Sequence, residues 1–141
     1  GSVDDRVVRL AFGDRPSSRA VGIVSEMGTS MEPDALMGSF AGLIEHDARA
    51  ALRATHTPSL VVVGTRDLLT PVPSARHLAH LLPDSDFVVL RRAGHQLMQE
   101  RPVELAALLD AFVARLEGGA ASVSEALDDA DVAHDVVEHT A

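Results

Sequence analysis

The sequence predicts a parallel α/β sheet over residues 58–117, read as strand, helix, strand, helix. Three observations carry this. First, "SLVVVG" (Ser59–Gly64) and "FVVL" (Phe87–Leu90) are short unbroken apolar runs rich in β-branched residues, as expected of strands covered on both faces. Second, each run is followed by residues with helical apolar spacing. Third, the connection between the runs is long enough to return the chain to a parallel neighbour.

The elements before the sheet are helical in pattern. Val3 to Ser18 contains the breaker cluster "FGDRPSS" and reads as a connector, with Ser17 or Ser18 able to cap a helix. Val21, Val24 and Gly28, with Ile23 and Met27 beside them, give a weak helical stripe that "GTSMEPD" interrupts. Asp34 is placed to cap a second helix, whose face is Leu36, Met37, Phe40, Leu43 and Ile44. That helix is expected to run towards Leu52, where "THTP" stops it. Val7 to Phe12, "VVRLAF", is the only strand candidate among the first 57 residues.

Within the sheet region, Thr70-Pro71 starts a helix with proline in its first turn, where a missing N–H costs nothing. Its apolar face is Val72, Ala75, Leu78, Ala79 and Leu82. "LPDSD" ends it before the second strand. "ERP" opens the last helix, with the cleanest stripe of the chain: Leu105, Leu108, Leu109, Phe112, Val113 and Leu116. Gly118-Gly119 closes it. The organisation expected is a connector with helices over 1–57, the α/β part over 58–117, and an acidic tail over 118–141. The tail reads as solvated, or as a short amphipathic helix through Val123, Leu127, Val132 and Val136.

Length and composition bound the function. The 141 residues, 46% of them apolar, suffice for one domain with a real core. No apolar run approaches a membrane span. Gly1-Ser2 reads as a cloning remnant, and no secretion signal is recognisable after it. The absence of cysteine excludes disulfides and thiolate metal sites and fits a cytoplasmic location. The net charge is −9, with six of the 21 acids and no arginine in residues 118–141. A nucleic-acid partner is not expected, since phosphate contacts need a basic face. All 12 basic residues are arginine, which points to genomic GC bias rather than a binding surface.

Two loops stand out. In parallel α/β sheets, ligand-facing groups gather at the carboxyl ends of strands. Asp67 follows the first strand in "VVVGTRDLLTP", and His95 follows the second in "LRRAGHQLMQERP". Neighbouring strands would bring both loops to one sheet edge. There the carboxylate would hold one imidazole nitrogen and leave the other to act as a base. Gly64 and Gly94 are expected to let the backbone turn tightly before each residue.

These stretches, with the final amphipathic helix, resemble the C-terminal part of the α/β-hydrolase fold superfamily. In that family an acid follows the penultimate strand in a G-x-x-D-x-x-x-P context, here Gly64 to Pro71. The catalytic histidine follows the last strand in a G-H context, here Gly94-His95. The resemblance covers about residues 58–117. It implies that Asp67 and His95 are two members of a nucleophile–acid–His triad, and that the helices of residues 17–54 belong to a lid inserted before the acid-bearing strand.

One family feature is missing. The nucleophile elbow, G-x-S-x-G after a strand, occurs nowhere in the sequence. The nearest stretch, "GTSME" (Gly28–Glu32), has Glu in the fifth position and follows no predicted strand. The early strands and the oxyanion-hole loop are absent too. The resemblance therefore implies the C-terminal part of a serine hydrolase of esterase, lipase or thioesterase type, with the nucleophile elsewhere. It implies a small apolar acyl substrate, with Leu36, Met37, Phe40 and Ile44 lining its site, and no metal or organic cofactor. The rival expectation is an inactive half-domain that acts by association, through dimerisation, element swapping or pairing with a missing N-terminal half.

Other candidates read more simply as structure. Ser30 fits a helix-start turn. Glu100 fits a first-turn acid favoured by the helix dipole, with Arg101 as its solvated neighbour. His46 and Asp47 are adjacent and diverge on a helix. The His77/His80 pair fits a polar surface, and His134 and His139 lie in the acidic tail.

Overall fold

The computed structural model describes residues 5–14, 16–119, 123–127 and 132–133. Among the described residues the sheet has three strands, the central one lying between a parallel and an antiparallel neighbour. Strands β1 (Ser59–Gly64) and β2 (Ser85–Leu90) pair in parallel, from Ser59 opposite Ser85 to Gly64 opposite Leu90. Helix α5 (Val72–Leu81) connects them. The period of two along each strand sorts the apolar side chains onto two faces. Val63, Phe87 and Val89 pack with Ala79, Val61, Val72 and Ala75 on the α5 face. Val88 and Leu90 pack with Leu108, Ala93, Val123 and Val132 on the face of the last helix, α7 (Pro102–Leu116). Burial on both sides explains why the strand sequences are unbroken apolar runs.

Before the sheet, the regular elements of the described residues are helices. Helix α1 (Asp5–Val8) and a 3-10 turn (Arg9–Ala11) occupy the segment "VVRLAF" that the sequence offered as a strand. Its Val8 and Phe12 pack on Ala20 and Val21 of helix α2 (Ser18–Ser30) in a small core of their own. Helical packing is rewarded here because it turns Val8 and Phe12 onto the same apolar face of α2. Ser17 caps α2, its Oγ accepting the Ala20 N–H at 3.1 Å.

Helix α3 (Pro33–Glu45) starts from Glu32 with Pro33 in its first turn, and Asp34 lies inside that turn instead of capping it. It ends before Leu52. Asp47 breaks it by accepting the Arg49 N–H at 3.0 Å and pairing with the Arg49 guanidinium at 2.7 Å. This turn, in which an Asp side chain replaces a helical acceptor, restarts the chain as α4 (Arg49–Ala54). The side chains of Leu36, Phe40 and Ile44 lie outside the described residues, and Met37 is exposed.

The third strand comes from the tail. Val132–Ala133 forms β3, antiparallel to β2, and Val123–Glu125 forms a 3-10 turn. The amphipathic-helix reading of the tail is thus corrected at Val132. Val123 and Val132 are both buried against Leu108, so acid-rich composition did not keep these apolar positions in water. Val136 lies outside the described residues. The stripe of α7 is also divided: Leu108 is fully buried, whereas Leu109, Val113 and Leu116 are about half exposed. Its apolar arc is wider than the face that one small sheet covers.

Candidate functional site

The parallel pairing of β1 and β2 places both chemistry-bearing loops at the carboxyl edge of the sheet. Backbone bonds continue past the strand ends and lace the loops together. Thr65 N–H donates to the Leu90 carbonyl at 2.9 Å, and Arg66 N–H donates to the Ala93 carbonyl at 2.8 Å. The Arg92 N–H donates to the Thr65 hydroxyl at 2.8 Å.

The glycines do something other than turn the chain. Neither Gly64 nor Gly94 adopts a positive φ; the left-handed residue of this region is Arg92, at φ 56°. A Cβ on Gly64 would collide with the Ala93 backbone, and one on Gly94 with the Phe12 backbone. Both positions are glycine because another backbone passes directly over them.

Asp67 and His95, 28 positions apart, meet here: His95 Nδ1 lies 3.0 Å from Asp67 Oδ2. The Asp67 side chain is only 6% exposed and the His95 side chain 37%. The other carboxylate contacts come from its own turn. Oδ1 accepts the Leu69 and Thr70 N–H groups at 2.9 and 2.8 Å, and Oδ2 accepts the Thr70 hydroxyl at 2.8 Å. Burial pushes the Asp67 carboxyl up, but the Thr70 amide, the His95 imidazole and the Thr70 hydroxyl outweigh it and hold the group below its ordinary value. Asp67 is therefore an anion that only accepts hydrogen bonds. Facing that anion, His95 Nδ1 is the donor of the contact.

The sequence marks Thr70 only as a helix start. Its hydroxyl also lies 3.2 Å from His95 Nδ1, so it touches both members of the pair. The available signal was the D-x-x-T spacing, which suits a carboxylate closing a turn on its own backbone. Glu100 was missed as well. Its Oε1 accepts the Gly94 N–H at 2.9 Å and its Oε2 the Gly13 N–H at 2.7 Å, in addition to its place in the first turn of the short helix Leu97–Glu100. Arg101 pairs with Glu104 at 3.6 Å.

The remaining candidates stay apart from this pair. Ser30 ends α2 with its hydroxyl donating to the Met27 carbonyl at 2.8 Å, on a helix and not on a strand-to-helix turn. His80 Nδ1 lies 2.8 Å from the Arg76 carbonyl. His134 and His139 lie outside the described residues. Among the described residues, no three His, Asp or Glu side chains gather as metal ligands would, and no helix is long and apolar enough to cross a membrane. A cavity of about 380 Å³ is lined by Asp14, Ser17, Arg92, Glu100 and Arg101 among others; neither Asp67 nor His95 lines it.

Residues 44–129 match the model of a family described as TAP-like protein, within the α/β-hydrolases. The chain is 33% identical over 82 residues to "Putative carbamate hydrolase RutD" of Pseudomonas syringae, covering 58% of this chain and 32% of that protein. It is 30% identical over 93 residues to the pimeloyl-acyl-carrier-protein methyl ester esterase of Chromobacterium violaceum, covering 64% and 37%. It thus spans about a third of the length of these relatives. In three dimensions it is similar to an esterase from Exiguobacterium antarcticum, with a TM-score of 0.70 at 16% identity over 77% of this chain and 40% of the other. A serine hydrolase involved in carbazole degradation gives 0.60 at 21% identity, covering 78% and 45%. These two likenesses concern the fold, the C-terminal portion of an α/β-hydrolase with helices before it. The matched sheet, its two laced loops and the family model agree: this chain belongs to the TAP-like family of the α/β-hydrolase superfamily.

Proposed function

We propose that this chain supplies the acid and the base of an esterase-type serine hydrolase, with Asp67 orienting His95. The observation that carries the reading is the 3.0 Å contact between His95 Nδ1 and a buried, multiply bonded carboxylate. Asp67 fixes the tautomer and stabilises the imidazolium. His95 Nε2 takes the proton of a serine hydroxyl as its oxygen attacks the acyl carbon. The acyl–oxygen bond then breaks, and the leaving alkoxide takes that proton. Water repeats the sequence on the acyl-enzyme, with His95 again accepting and returning a proton. The exposed side chains of Leu68, Leu69 and Met98, flanking the pair in sequence, suit a small apolar acyl group. The α2 and α3 helices act as part of a lid.

No G-x-S-x-G elbow occurs in the sequence, so the assay also asks which segment carries the serine. Hydrolysis of a short-chain activated ester is measured for the chain and for His95→Ala. Turnover lost in the variant supports the base role and makes Ser30 the next substitution. Background in both locates the nucleophile on another segment. Equal turnover in both refutes a role for His95.

A second reading, association without catalysis, has its own support. β1 pairs only with β2 among the described residues, which leaves a six-residue strand edge open to another strand. The half-exposed Leu109, Val113 and Leu116 of α7 add apolar surface. Light scattering tests it, and a dilute monomer counts against self-association.

A further inference from the structure

We propose that Glu100 is a positioning residue for His95, a carboxylate brace that holds the histidine loop against the connector Ala11–Asp14. The proposal rests on the dyad reading above. The ring of His95 bonds to Asp67 and Thr70 and is otherwise partly open to solvent. Its orientation therefore depends on where the backbone puts its Cα. Asp67 is fixed from its own side by the Leu69 and Thr70 amides. The histidine side needs an equivalent.

Glu100 provides it. Helix α6 (Leu97–Glu100) turns the chain back so that Glu100 faces its own loop. One oxygen takes the amide of Gly94, the residue before His95; the other takes the amide of Gly13, 87 positions upstream of Glu100. Hydrogen bonds to an ionised acceptor are the stronger kind. Around them the His95 N–H donates to the Ala11 carbonyl at 2.8 Å, and the Asp14 N–H donates to the Arg92 carbonyl at 3.2 Å. Gly94 lies flat on the Phe12 backbone, where a Cβ would not fit. Remote backbone thus holds the residue whose ring must meet Asp67 within a few tenths of an ångström. The same connector leads into Ser17, the cap of α2, so the brace also ties the histidine loop to the helices before the sheet.

Glu100→Gln keeps the size but offers a single oxygen acceptor, so one of the two amides faces an NH2 group. The test is NMR of the ¹⁵N-labelled full chain. In the wild type the His95 Nδ1–H appears at low field, as a proton shared with Asp67. In Glu100→Gln, folded by circular dichroism, we expect that proton and the Gly94 amide to exchange about ten-fold faster or more. Arg115→Gln, which breaks two ion pairs from α7, to Asp84 just before β2 and to Asp86 on β2, serves as the stability control and should leave both signals unchanged. A change in Glu100→Gln no larger than in the control overturns the proposal.

If Glu100→Gln does not fold, the wild-type chain decides. Gly13 and Gly94 amides protected about a hundred-fold over the unfolded chain support the brace, and free exchange at Gly94 overturns it. A wild-type chain without the low-field Nδ1–H overturns the dyad reading itself and the brace with it. A signal present but indifferent to Glu100 overturns the brace alone.

Discussion

Replacing Asp67 with Asn tests the chemistry of the site without changing its shape. The carboxylate accepts four hydrogen bonds between 2.8 and 3.0 Å, and its side chain is 6% exposed. Asn keeps one oxygen, which the Leu69 and Thr70 amides will claim together. Its NH2 group then replaces Oδ2 and faces the Thr70 hydroxyl and His95 Nδ1. The hydroxyl can rotate and accept. His95 must move its proton to Nε2, which removes the lone pair that a base needs. Losing the charge weakens two amide bonds and leaves the imidazole rearranged. The loss expected is about 2–3 kcal/mol, since bonds to a charged group contribute about 1.5–3 kcal/mol each and only part of each is lost. Urea unfolding at pH 7 measures the stability, and the ¹⁵N shifts of His95 report the tautomer. Where turnover is measurable, it should fall by about 10⁴. A variant within about 0.5 kcal/mol of wild type that keeps its proton on Nδ1 would show that Asp67 does not orient His95.

Three further outcomes follow from the same geometry. Stability should fall in acid because the Asp67 carboxyl is held below its ordinary value of 3.8. Its contribution is fully present above about pH 4 and is lost as pH falls through the lower folded value, and Asp67→Asn should flatten that part of a pH series of melts. Gly94→Ala forces a methyl group into the Phe12 backbone and should cost about 1–3 kcal/mol, with His95 resonances shifted; an unchanged melting temperature would contradict the close approach. Arg92→Val places a β-branched residue at φ 56° and should destabilise by about 1–2 kcal/mol, whereas Arg92→Gly should stay within about 0.5 kcal/mol, its relief of strain offset by chain entropy. Urea titrations of the two variants decide this.

The strands, their connecting helix and the last helix were legible in the sequence because both faces of the sheet are covered. Burial on two sides leaves an unbroken apolar run between breakers, and few other structures produce one. That Asp67 and His95 meet was legible for a related reason: each follows such a run, and parallel pairing carries their loops to the same edge. The N-terminal helix in "VVRLAF" and the β3 strand in the tail were not legible. Six apolar-rich residues satisfy helix and strand alike, and Val132 becomes a strand only because the edge of β2 is there to receive it.

The sequence by itself determined the α/β order of residues 58–117 and the two residue types that face each other across it, since those depend on local pattern and on chain direction. Tertiary structure alone decided that the Thr70 hydroxyl also reaches His95, that Gly64 and Gly94 make room for other backbones, and that Glu100 links Gly13 to Gly94 across 87 positions. Those roles depend on distances between segments remote in the chain, and local spacing carries no record of such distances.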